Sequence, residues 1–282
     1  MILIDIAQLA FANLFEQISG PQQKVEIDLF RPMVLNTLRS TVLKFKSEYG
    51  PEIVIACDNK NYWRRKIFPY YKFPRKKIRE SSGYDWHSIY ENLAVITDEI
   101  KEFSPYKVLD VENAEADDII ACLVHEYSKQ ERILIVSMDS DFVQLQKYSD
   151  VEQYSISQKR FIKEQLPIIE LKRKIICGDR GDGIPSILSS DDTFVNGVRQ
   201  KPITQNKLID WLNKSPEEFC NEEMLRNYSR NQLLIDFDYI PVEIKQEILT
   251  TYKNTKGKSK NVFLNYLISR KLPHLISEIN DF

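Results

Sequence analysis

The chain has 282 residues, with 39 lysines and arginines against 41 aspartates and glutamates, which gives a formal net charge of −2. This balance excludes a histone-like polycation and a strongly acidic disordered segment. Glycine is scarce at 8 residues, where average usage would give about 20. Neither common glycine-rich phosphate-binding motif, the P-loop or the dinucleotide fingerprint, occurs in the sequence.

The cysteines and histidines give no sign of a zinc site or a disulfide framework. The 4 cysteines have no C-x-x-C spacing, and the 3 histidines are scattered. We therefore expect reduced thiols in a reducing compartment. No apolar run approaches the roughly 20 residues that span a bilayer, and the apolar stretch Met1–Ile6 contains a charge and lacks a basic flank. These features predict a cytoplasmic protein.

Up to about Glu164, short β-branched runs alternate with longer amphipathic segments. The predicted strands, in chain order, are Ile2–Ile6, Glu52–Cys57, Tyr106–Val111, Arg132–Ser137 and Val151–Ser155. Helices are predicted to begin at N-cap residue types near Asp28, Asp85, Asn113 and Asp141. This alternation favours an α/β fold, with a mostly parallel sheet flanked by helices.

After Glu164 the strand signal fades, and the sequence predicts short helices. They lie around Lys172–Cys177, Thr204–Asn213, Val242–Tyr252 and Phe263–Ser269. We therefore expect an α/β core over residues 1–177 and a smaller helical part over residues 178–282.

Acidic residues follow the predicted strands where each strand ends. Six of them lie at strand ends or on the next turn: Asp5, Asp58, Glu115, Asp117, Asp139 and Asp141. Because ligand sites of open parallel sheets form at the carboxyl ends of the strands, these side chains are expected to converge. A further pair, Asp179 and Asp182, lies in the glycine-containing segment Gly178–Gly183.

Such a cluster of carboxylates needs counter-charges. Unit charges about 4 Å apart repel by about 4 kcal/mol at an effective dielectric constant of about 20. Oxygen ligands without histidine or cysteine select hard ions, Mg²⁺ or Mn²⁺. Two such ions about 4 Å apart suit an in-line displacement at phosphorus. The pattern therefore predicts a divalent metal site with phosphoryl chemistry.

A basic, aromatic segment follows the second strand. Residues 64–79 contain eight lysines and arginines, no acid and four aromatic residues. Cations that neutralise phosphates and rings that stack on bases suit a single strand. The candidate contact residues are Arg65, Lys66, Tyr70, Tyr71, Arg75, Lys76, Lys77 and Arg79. Because Pro69 and Pro74 interrupt the segment, we expect helical flanks and a mobile centre. The acids and this segment together indicate a metal-dependent nuclease.

Short motifs over nearly the whole chain are similar to those of one family. They are Leu3–Asp5, Cys57–Asn59, Tyr62–Arg65, Tyr70–Lys72, Glu115–Asp118, Asp139–Phe142, Gly178–Asp182 and Ile235–Pro241. The chain resembles the structure-specific 5′ nucleases, or flap endonucleases, which have a PIN-like α/β core. Tyr62–Arg65 and Ile235–Pro241 point to the bacteriophage branch that includes the ribonucleases H of T-even phages.

The resemblance implies roles for the acidic and basic residues. The more tightly held metal would be bound by Asp5, Asp58, Glu115 and Asp117. The second would be bound by Asp139, Asp141 and Asp182, with Asp179 close by. Arg64 and Lys72 would contact the scissile phosphate and act in catalysis with Asp141. They would lie at the base of a helical arch over residues 59–84, hereafter the arch segment.

The residues after Gly178 correspond to the family's helix–turn–helix element, which holds duplex DNA by its phosphates. The chain departs from the family pattern here, with Ile184–Thr193 in place of a glycine-rich hairpin. We therefore expect a degenerate element, and a potassium site is left open. Candidates for phosphate contact are Arg199, Lys201 and Lys207.

The function that the resemblance implies is a 5′-to-3′ exonuclease and flap endonuclease that uses two Mg²⁺ ions, with Mn²⁺ able to substitute. Its substrates would be RNA–DNA hybrid, nicked or flapped duplex, and its role the removal of lagging-strand RNA primers in phage replication. It would act as a monomer and meet a sliding clamp and a single-strand-binding protein. Two alternatives remain open: a single-strand ribonuclease on a related fold, and a non-catalytic DNA-binding accessory protein.

Overall fold

A computed structural model describes residues 1–17 and 24–282 of the chain. Among these residues, six strands form one sheet: β1 (Ile2–Asp5), β2 (Ile53–Ala56), β3 (Lys107–Leu109), β4 (Ile133–Val136), β5 (Val151–Ser155) and β6 (Arg160–Ile162). Their order is β3-β2-β1-β4-β5-β6. The pairs from β3 to β5 are parallel, and β6 is antiparallel to β5.

The strand prediction is confirmed for β1 to β5, whose residues lie within the predicted ranges. Every residue of β1, β2 and β4 is buried, as expected for a parallel sheet covered on both faces. Strand β6 was not predicted, because its three residues follow a tight turn and are only partly buried. The mostly parallel sheet flanked by helices confirms the predicted fold class.

Helices cover both faces of the sheet and form most of the chain after residue 164. In the described residues they are α1 (Ile6–Gln17), α2 (Ile27–Tyr49), α3 (Trp63–Ile67), α4 (Phe73–Ser82), α5 (Trp86–Phe103), α6 (Ala116–Tyr127), α7 (Pro167–Cys177), α8 (Gln205–Leu212), α9 (Pro216–Phe219), α10 (Glu222–Ile235), α11 (Val242–Asn254), α12 (Lys260–Ser269) and α13 (Pro273–Ser277). Short 3₁₀ helices occur at Ser140–Lys147, Phe237–Tyr239 and Ile279–Asp281.

The predicted helix starts are close to those observed, with one correction. Helix α2 begins beside Asp28, and Asp85 caps α5 by accepting a hydrogen bond from the Ser88 amide at 3.1 Å. The helix expected from Asp141 is instead a 3₁₀ helix, Ser140–Lys147. Its cap is Asp139, whose carboxylate accepts the Asp141 amide at 2.9 Å. Helices α7, α8, α11 and α12 confirm the four helices predicted after residue 164.

The hydrophobic core has three parts. One cluster lies on each face of the sheet, and the last helices of the chain contribute to both, with Phe263 and Phe282 in one and Ile248 and Tyr252 in the other. A third cluster joins Phe68 and Tyr71 of the arch segment to side chains of α7 and α10. The expected boundary between residues 177 and 178 stays a prediction.

The arch segment contains two helices rather than one. Helix α3 ends at Ile67, and α4 has Pro74 in its first turn, where a proline is tolerated. Between them, Lys72 adopts a left-handed conformation with φ 59°. The helical flanks are therefore confirmed, and the turn between them packs in the third cluster through Phe68 and Tyr71. Within the described part of the chain, no helix combines the length and apolar composition needed to cross a bilayer.

Candidate active site

Acidic and basic side chains line one cleft of about 370 Å³. The acids come from the sheet edge and the first turn of α6: Asp5, Asp58, Asp117 and Asp139. The bases come from the arch segment: Arg65, Lys72, Arg75, Lys76 and Arg79. Strand β1 lies between β2 and β4, so the ends of these three strands bring Asp5, Asp58 and Asp139 to the same edge. We call this site the acidic cleft.

Asp5 lies at the centre of this edge and is 6% exposed. Its carboxylate accepts hydrogen bonds from the Gln8 amide at 3.1 Å and from the Ser137 hydroxyl at 3.3 Å. Burial, and then the neighbouring charge of Asp58, raise the pKa of Asp5 to about 7. Without a bound cation, Asp5 therefore keeps its proton to a higher pH than an exposed aspartate does.

Three carboxylates are close enough together to share one cation. Oxygen atoms of Asp117, Asp139 and Asp141 lie within 4.8 Å of one another. Burial raises the pKa of Asp117 well above its usual value, with Asp139 as the next cause, and burial also raises the pKa of Asp139. The ligand atoms are carboxylate oxygens, which suit a hard divalent ion. The cluster therefore fits the cation chemistry expected from the sequence.

Glu115 is fully buried and is held by residues of the arch segment. Arg64 Nη1 donates to it at 2.8 Å, the Tyr71 hydroxyl lies 3.1 Å away, and the Lys72 ammonium pairs with its other oxygen. Glu115 also forms a capping box with Asp118, whose carboxylate accepts the Glu115 amide at 2.9 Å. Glu115 thus connects the start of α6 to the base of the arch segment.

The structure gives Arg64 a different place from the one expected. Arg64 is 2% exposed, pairs with both Glu115 and Asp118 at 2.8 Å, and donates through Nε to the Leu234 carbonyl at 2.8 Å. Arg64 is not among the residues that line the acidic cleft. The next residue, Arg65, lines the acidic cleft instead. In this structure Arg64 holds the Glu115 carboxylate through an ion pair.

Tyr71 and Asp182 are both buried, and they contact each other. Tyr71 was expected to contact nucleic acid, but it is 3% exposed, and its hydroxyl lies 3.0 Å from Asp182. Arg75 pairs with the same carboxylate. Burial of Asp182 is outweighed by Lys72, Arg75 and these hydrogen bonds, which lower its pKa. Asp182 is therefore neutralised by arch-segment cations and is not among the residues that line the acidic cleft.

Lys174 contacts two further acids, and no pattern in the sequence indicates it as a site residue. Its ammonium contacts Asp141 and lies 2.8 Å from Asp179. Lys174 is in the last turn of α7, so only the packing of α7 against the Ser140–Lys147 helix brings it to the site. Phe11 and Tyr90 of the cleft were missed for the same reason. No spacing in the sequence links them to the acids.

The remaining candidates lie around the acidic cleft or away from it. Lys76 and Arg79 line the cleft, and the Arg79 guanidinium lies over the Tyr90 ring at 4.8 Å. Lys66 is exposed on α3, and the Tyr70 ring packs edge-on against Phe68. Three others line a separate groove: Lys77, Arg199 and Lys201. Lys207 is exposed on α8, among the residues of neither site.

Comparison with known proteins agrees with this architecture. Residues 1–171 match the model of the 5′-3′ exonuclease N-terminal resolvase-like domain, and residues 166–282 match that of the T4 RNase H C-terminal domain. The chain is 34% identical to ribonuclease H of Enterobacteria phage T4 over 291 aligned residues, which cover 99% of this chain and 95% of the relative. The chain belongs to the 5′-3′ exonuclease family.

A second relative and a solved structure match at lower identity. The flap endonuclease Xni of Psychromonas ingrahamii is 30% identical over 67% of this chain and 71% of its own length. A phage T5 5′-exonuclease structure with divalent zinc ions bound has a TM-score of 0.63 at 17% identity, covering 90% of this chain and 97% of that chain. These matches confirm the family resemblance that the short motifs indicated. They also confirm the predicted enzyme class, a phosphodiester hydrolase of this family.

Proposed function

We propose that the chain is a 5′-3′ exonuclease and flap endonuclease that hydrolyses phosphodiester bonds in the acidic cleft. The observation that carries this proposal is the lining of the cleft, with carboxylates from the sheet edge and cations from the arch segment. Metal-binding carboxylates beside phosphate-binding cations are suited to a polynucleotide backbone, and a small phosphate ester would not need the long basic segment.

The cofactor that fits is Mg²⁺, and we propose two ions. Asp117, Asp139 and Asp141 offer one group of oxygen ligands, and Asp5 and Asp58 border the same cleft. The raised pKa of Asp5, Asp117 and Asp139 reflects the cost of gathering buried carboxylates without counter-charge. When bound, two hard ions supply charge neutralisation at the phosphate and activation of water for in-line attack.

The arch segment supplies the groups that would contact the reacting phosphate. Lys72 lines the acidic cleft while its ammonium pairs with Glu115, and Arg65 lines it from α3. We assign phosphate binding and neutralisation of the developing charge to these two cations. Arg64 and Tyr71 hold Glu115 in place through hydrogen bonds to its other carboxylate oxygen. This arrangement moves one of the two expected catalytic cations from Arg64 to Arg65.

The substrates proposed are RNA–DNA hybrid and nicked or flapped duplex DNA. The phage T4 relative is named a ribonuclease H. A phage T5 flap endonuclease of the same fold was solved as a pseudo-enzyme-product complex with DNA and metal ions, with a TM-score of 0.60 at 16% identity over 90% of this chain and 99% of that chain. Removal of RNA primers in phage replication follows from these substrates. A monomeric state, a clamp and a single-strand-binding protein as partners, and a cytoplasmic location remain predictions.

An Asp141→Asn variant tests the proposal. It removes a charge from the three-carboxylate group without changing side-chain volume, so we expect cleavage of a 5′-labelled flap in Mg²⁺ to fall by about 100-fold or more. Substrate binding without cleavage, measured by fluorescence anisotropy in Ca²⁺, should stay measurable. Asp150→Asn, at an exposed position before β5, is the matched control. Full activity of the Asp141 variant would contradict the assignment.

A further inference from the structure

Lys174 lies beside the carboxylates that the family resemblance assigns to the second divalent ion. Its ammonium contacts Asp141, lies 2.8 Å from an Asp179 oxygen and lies 3.4 Å from the Ser140 hydroxyl. The side chains of Lys174, Asp141 and Asp179 are 15%, 16% and 21% exposed, so all three charges are largely shielded from solvent. Such shielding strengthens their attraction. The function proposed for the acidic cleft has so far given Lys174 no part.

Asp141 has two candidate cations. Its carboxylate belongs to the three-carboxylate group with Asp117 and Asp139, whose oxygen atoms lie within 4.8 Å of one another. The same carboxylate pairs with Lys174. An ammonium and a divalent ion against one carboxylate repel each other, because like charges a few ångströms apart interact strongly where water is scarce. Lys174 and an ion in the three-carboxylate group therefore compete for Asp141.

The carboxylates in this competition are held in place by backbone hydrogen bonds. The Asp141 amide donates to the Asp139 carboxylate at 2.9 Å. The Asp179 amide donates to the Ile184 carbonyl at 2.8 Å, and the Ile184 amide donates to the Asp179 carbonyl at 2.7 Å. Lys174, in contrast, reaches the acids through a long and flexible aliphatic stem. Of the charged groups in this ion-pair network, the ammonium therefore has the most freedom to move.

Glu170 offers the ammonium a second partner. It lies one turn before Lys174 on α7, and a glutamate four residues before a lysine is the favourable order for an ion pair on a helix. Both residues line one small cavity, together with Ser140 and Asp141. Glu170 already pairs with Arg173, but a carboxylate has two oxygens and accepts several donors. A rotation within the Lys174 side chain is therefore enough to move the ammonium from Asp141 to Glu170.

We propose that Lys174 is a positioning residue that competes with the divalent ion of the three-carboxylate group. In the metal-free chain its ammonium holds Asp141 and Asp179, and when the ion binds, the ammonium moves to Glu170. The inference rests on the proposed two-ion function of the acidic cleft. It deepens that function with a residue that sets the affinity of one ion. Because this ion displaces a bound ammonium, it binds more weakly than the carboxylates alone would allow.

Stepwise binding of Mn²⁺ to the chain without nucleic acid tests the proposal. Electron paramagnetic resonance of free Mn²⁺ gives the number of ions bound and a dissociation constant for each. Lys174→Met removes the competing charge and keeps an unbranched side chain, so we expect the weaker ion to bind about 10-fold more tightly. Lys174→Arg keeps the charge and should keep the weak binding. Lys129→Met, at an exposed position after α6, is the control and should change neither constant.

Glu170 supplies a second, independent variant. Glu170→Gln keeps the shape of the side chain and removes the charge that receives the displaced ammonium, so the weaker ion should bind about 2-fold less tightly. In the Lys174→Met background the same substitution should have no effect, because no ammonium is then displaced. If Lys174 only supported the local structure, the effects of the two substitutions would instead add.

Thermal stability gives a readout that differs between the two states of the site. In EDTA, Lys174→Met leaves Asp141 and Asp179 without their cation, so we expect the unfolding temperature to fall by about 2–4 °C. In saturating Mn²⁺ the ion takes the place of the ammonium, so the variant should regain the unfolding temperature of the unmodified chain. The Lys129→Met control should match the unmodified chain in both conditions.

Three outcomes would overturn the inference. They are unchanged or weaker binding of both ions in Lys174→Met, an effect of Glu170→Gln that persists without Lys174, and a loss of stability that saturating Mn²⁺ does not restore. Each refutes the role of Lys174 alone if the unmodified chain binds two ions and cleaves a flap in Mg²⁺. Failure of the proposed function looks different, because the unmodified chain would then bind fewer than two ions or cleave no substrate. Binding of fewer than two ions would overturn both proposals.

Discussion

Two adjacent arginines of the arch segment have opposite environments. Arg64 is enclosed by Glu115, Asp118 and the Leu234 carbonyl, whereas Arg65 is exposed and its guanidinium lies over the Tyr62 ring at 4.7 Å. Because an α-helix has 3.6 residues per turn, consecutive side chains of α3 point in directions about 100° apart around its axis. The family motif contains both arginines. Only the packing of α3 shows that Arg65, and not Arg64, lines the acidic cleft.

Substitution of the two arginines by methionine should have different effects, a loss of stability at Arg64 and a loss of activity at Arg65. Arg64→Met leaves buried Asp118 without its ion-pair partner and Glu115 with Lys72 as its remaining cation. We therefore expect the free energy of unfolding to fall by about 3–5 kcal/mol. Arg65→Met should change it by about 0.5 kcal/mol or less and should reduce cleavage. Urea denaturation in EDTA and a flap-cleavage assay measure the two effects. Equal stability of both variants would contradict the stabilising role of the Arg64 ion pairs with Glu115 and Asp118.

The raised pKa of Asp5 predicts a pH dependence of the metal-free protein. Because the folded-state pKa is about 7, against about 3.9 in the unfolded chain, the folded state binds more protons between these values. Stability in EDTA should therefore fall as the pH rises from about 4 to 7, by at most about 4 kcal/mol from this group.

Thermal unfolding in EDTA across this pH range checks the expectation, with Asp5→Asn as the comparison. The substituted amide does not titrate, so the slope should be smaller in the variant. Saturating Mg²⁺ should reduce the slope of the unmodified chain, because metal binding requires the ionised carboxylate. An Asp5→Asn variant with the same slope as the unmodified chain would contradict a raised pKa at Asp5.

At the scale of elements, the turn after α7 positions Asp179 and Asp182. The Asp179 amide donates to the Ile184 carbonyl at 2.8 Å, and the Ile184 amide returns a bond at 2.7 Å. Gly178 makes this close approach possible, since a Cβ there would lie 2.3 Å from the Ile184 carbonyl oxygen. Asn231 of α10 supports the same turn by donating to the Pro185 carbonyl at 2.9 Å.

Gly178→Ala should therefore be far more damaging than alanine at another glycine with positive φ. Gly50 is the control, because its φ is 89° and a Cβ there would meet no atom within 4 Å. We expect Gly50→Ala to cost about 1–3 kcal/mol from backbone strain alone, and Gly178→Ala to cost several kcal/mol more and to weaken metal binding. Urea denaturation and Mn²⁺ titration measure both. Equal costs would show that the turn can shift freely.

At the scale of the whole molecule, the near-neutral charge conceals two opposed regions. Residues 64–79 contain eight cations and no acid, and the structure places them over the carboxylates at the sheet edge. Many of these opposite charges pair directly, as Lys72 does with Glu115 and Arg75 with Asp182. The cations therefore limit the repulsion that the acids would otherwise suffer, and they leave Arg65, Lys76 and Arg79 along the cleft for the substrate.

The sequence predicted the parts of this arrangement that depend on local pattern. Strands β1 to β5 follow from β-branched runs, and the position of Asp5, Asp58 and Asp139 at one edge follows from their phase relative to those strands. The contacts it could not predict join distant segments. Lys174 reaches Asp141 through the packing of α7, and Tyr71 is buried because the arch segment and α10 share a hydrophobic cluster.

The most direct test of the central claim is digestion of 5′-labelled flap and RNA–DNA primer substrates by the unmodified chain, resolved by product length. In Mg²⁺, we expect short 5′-labelled products from cleavage near the 5′ end, and no products when EDTA replaces the metal. Intact substrates in Mg²⁺, or cleavage that persists in EDTA, would contradict a metal-dependent 5′ nuclease in the acidic cleft.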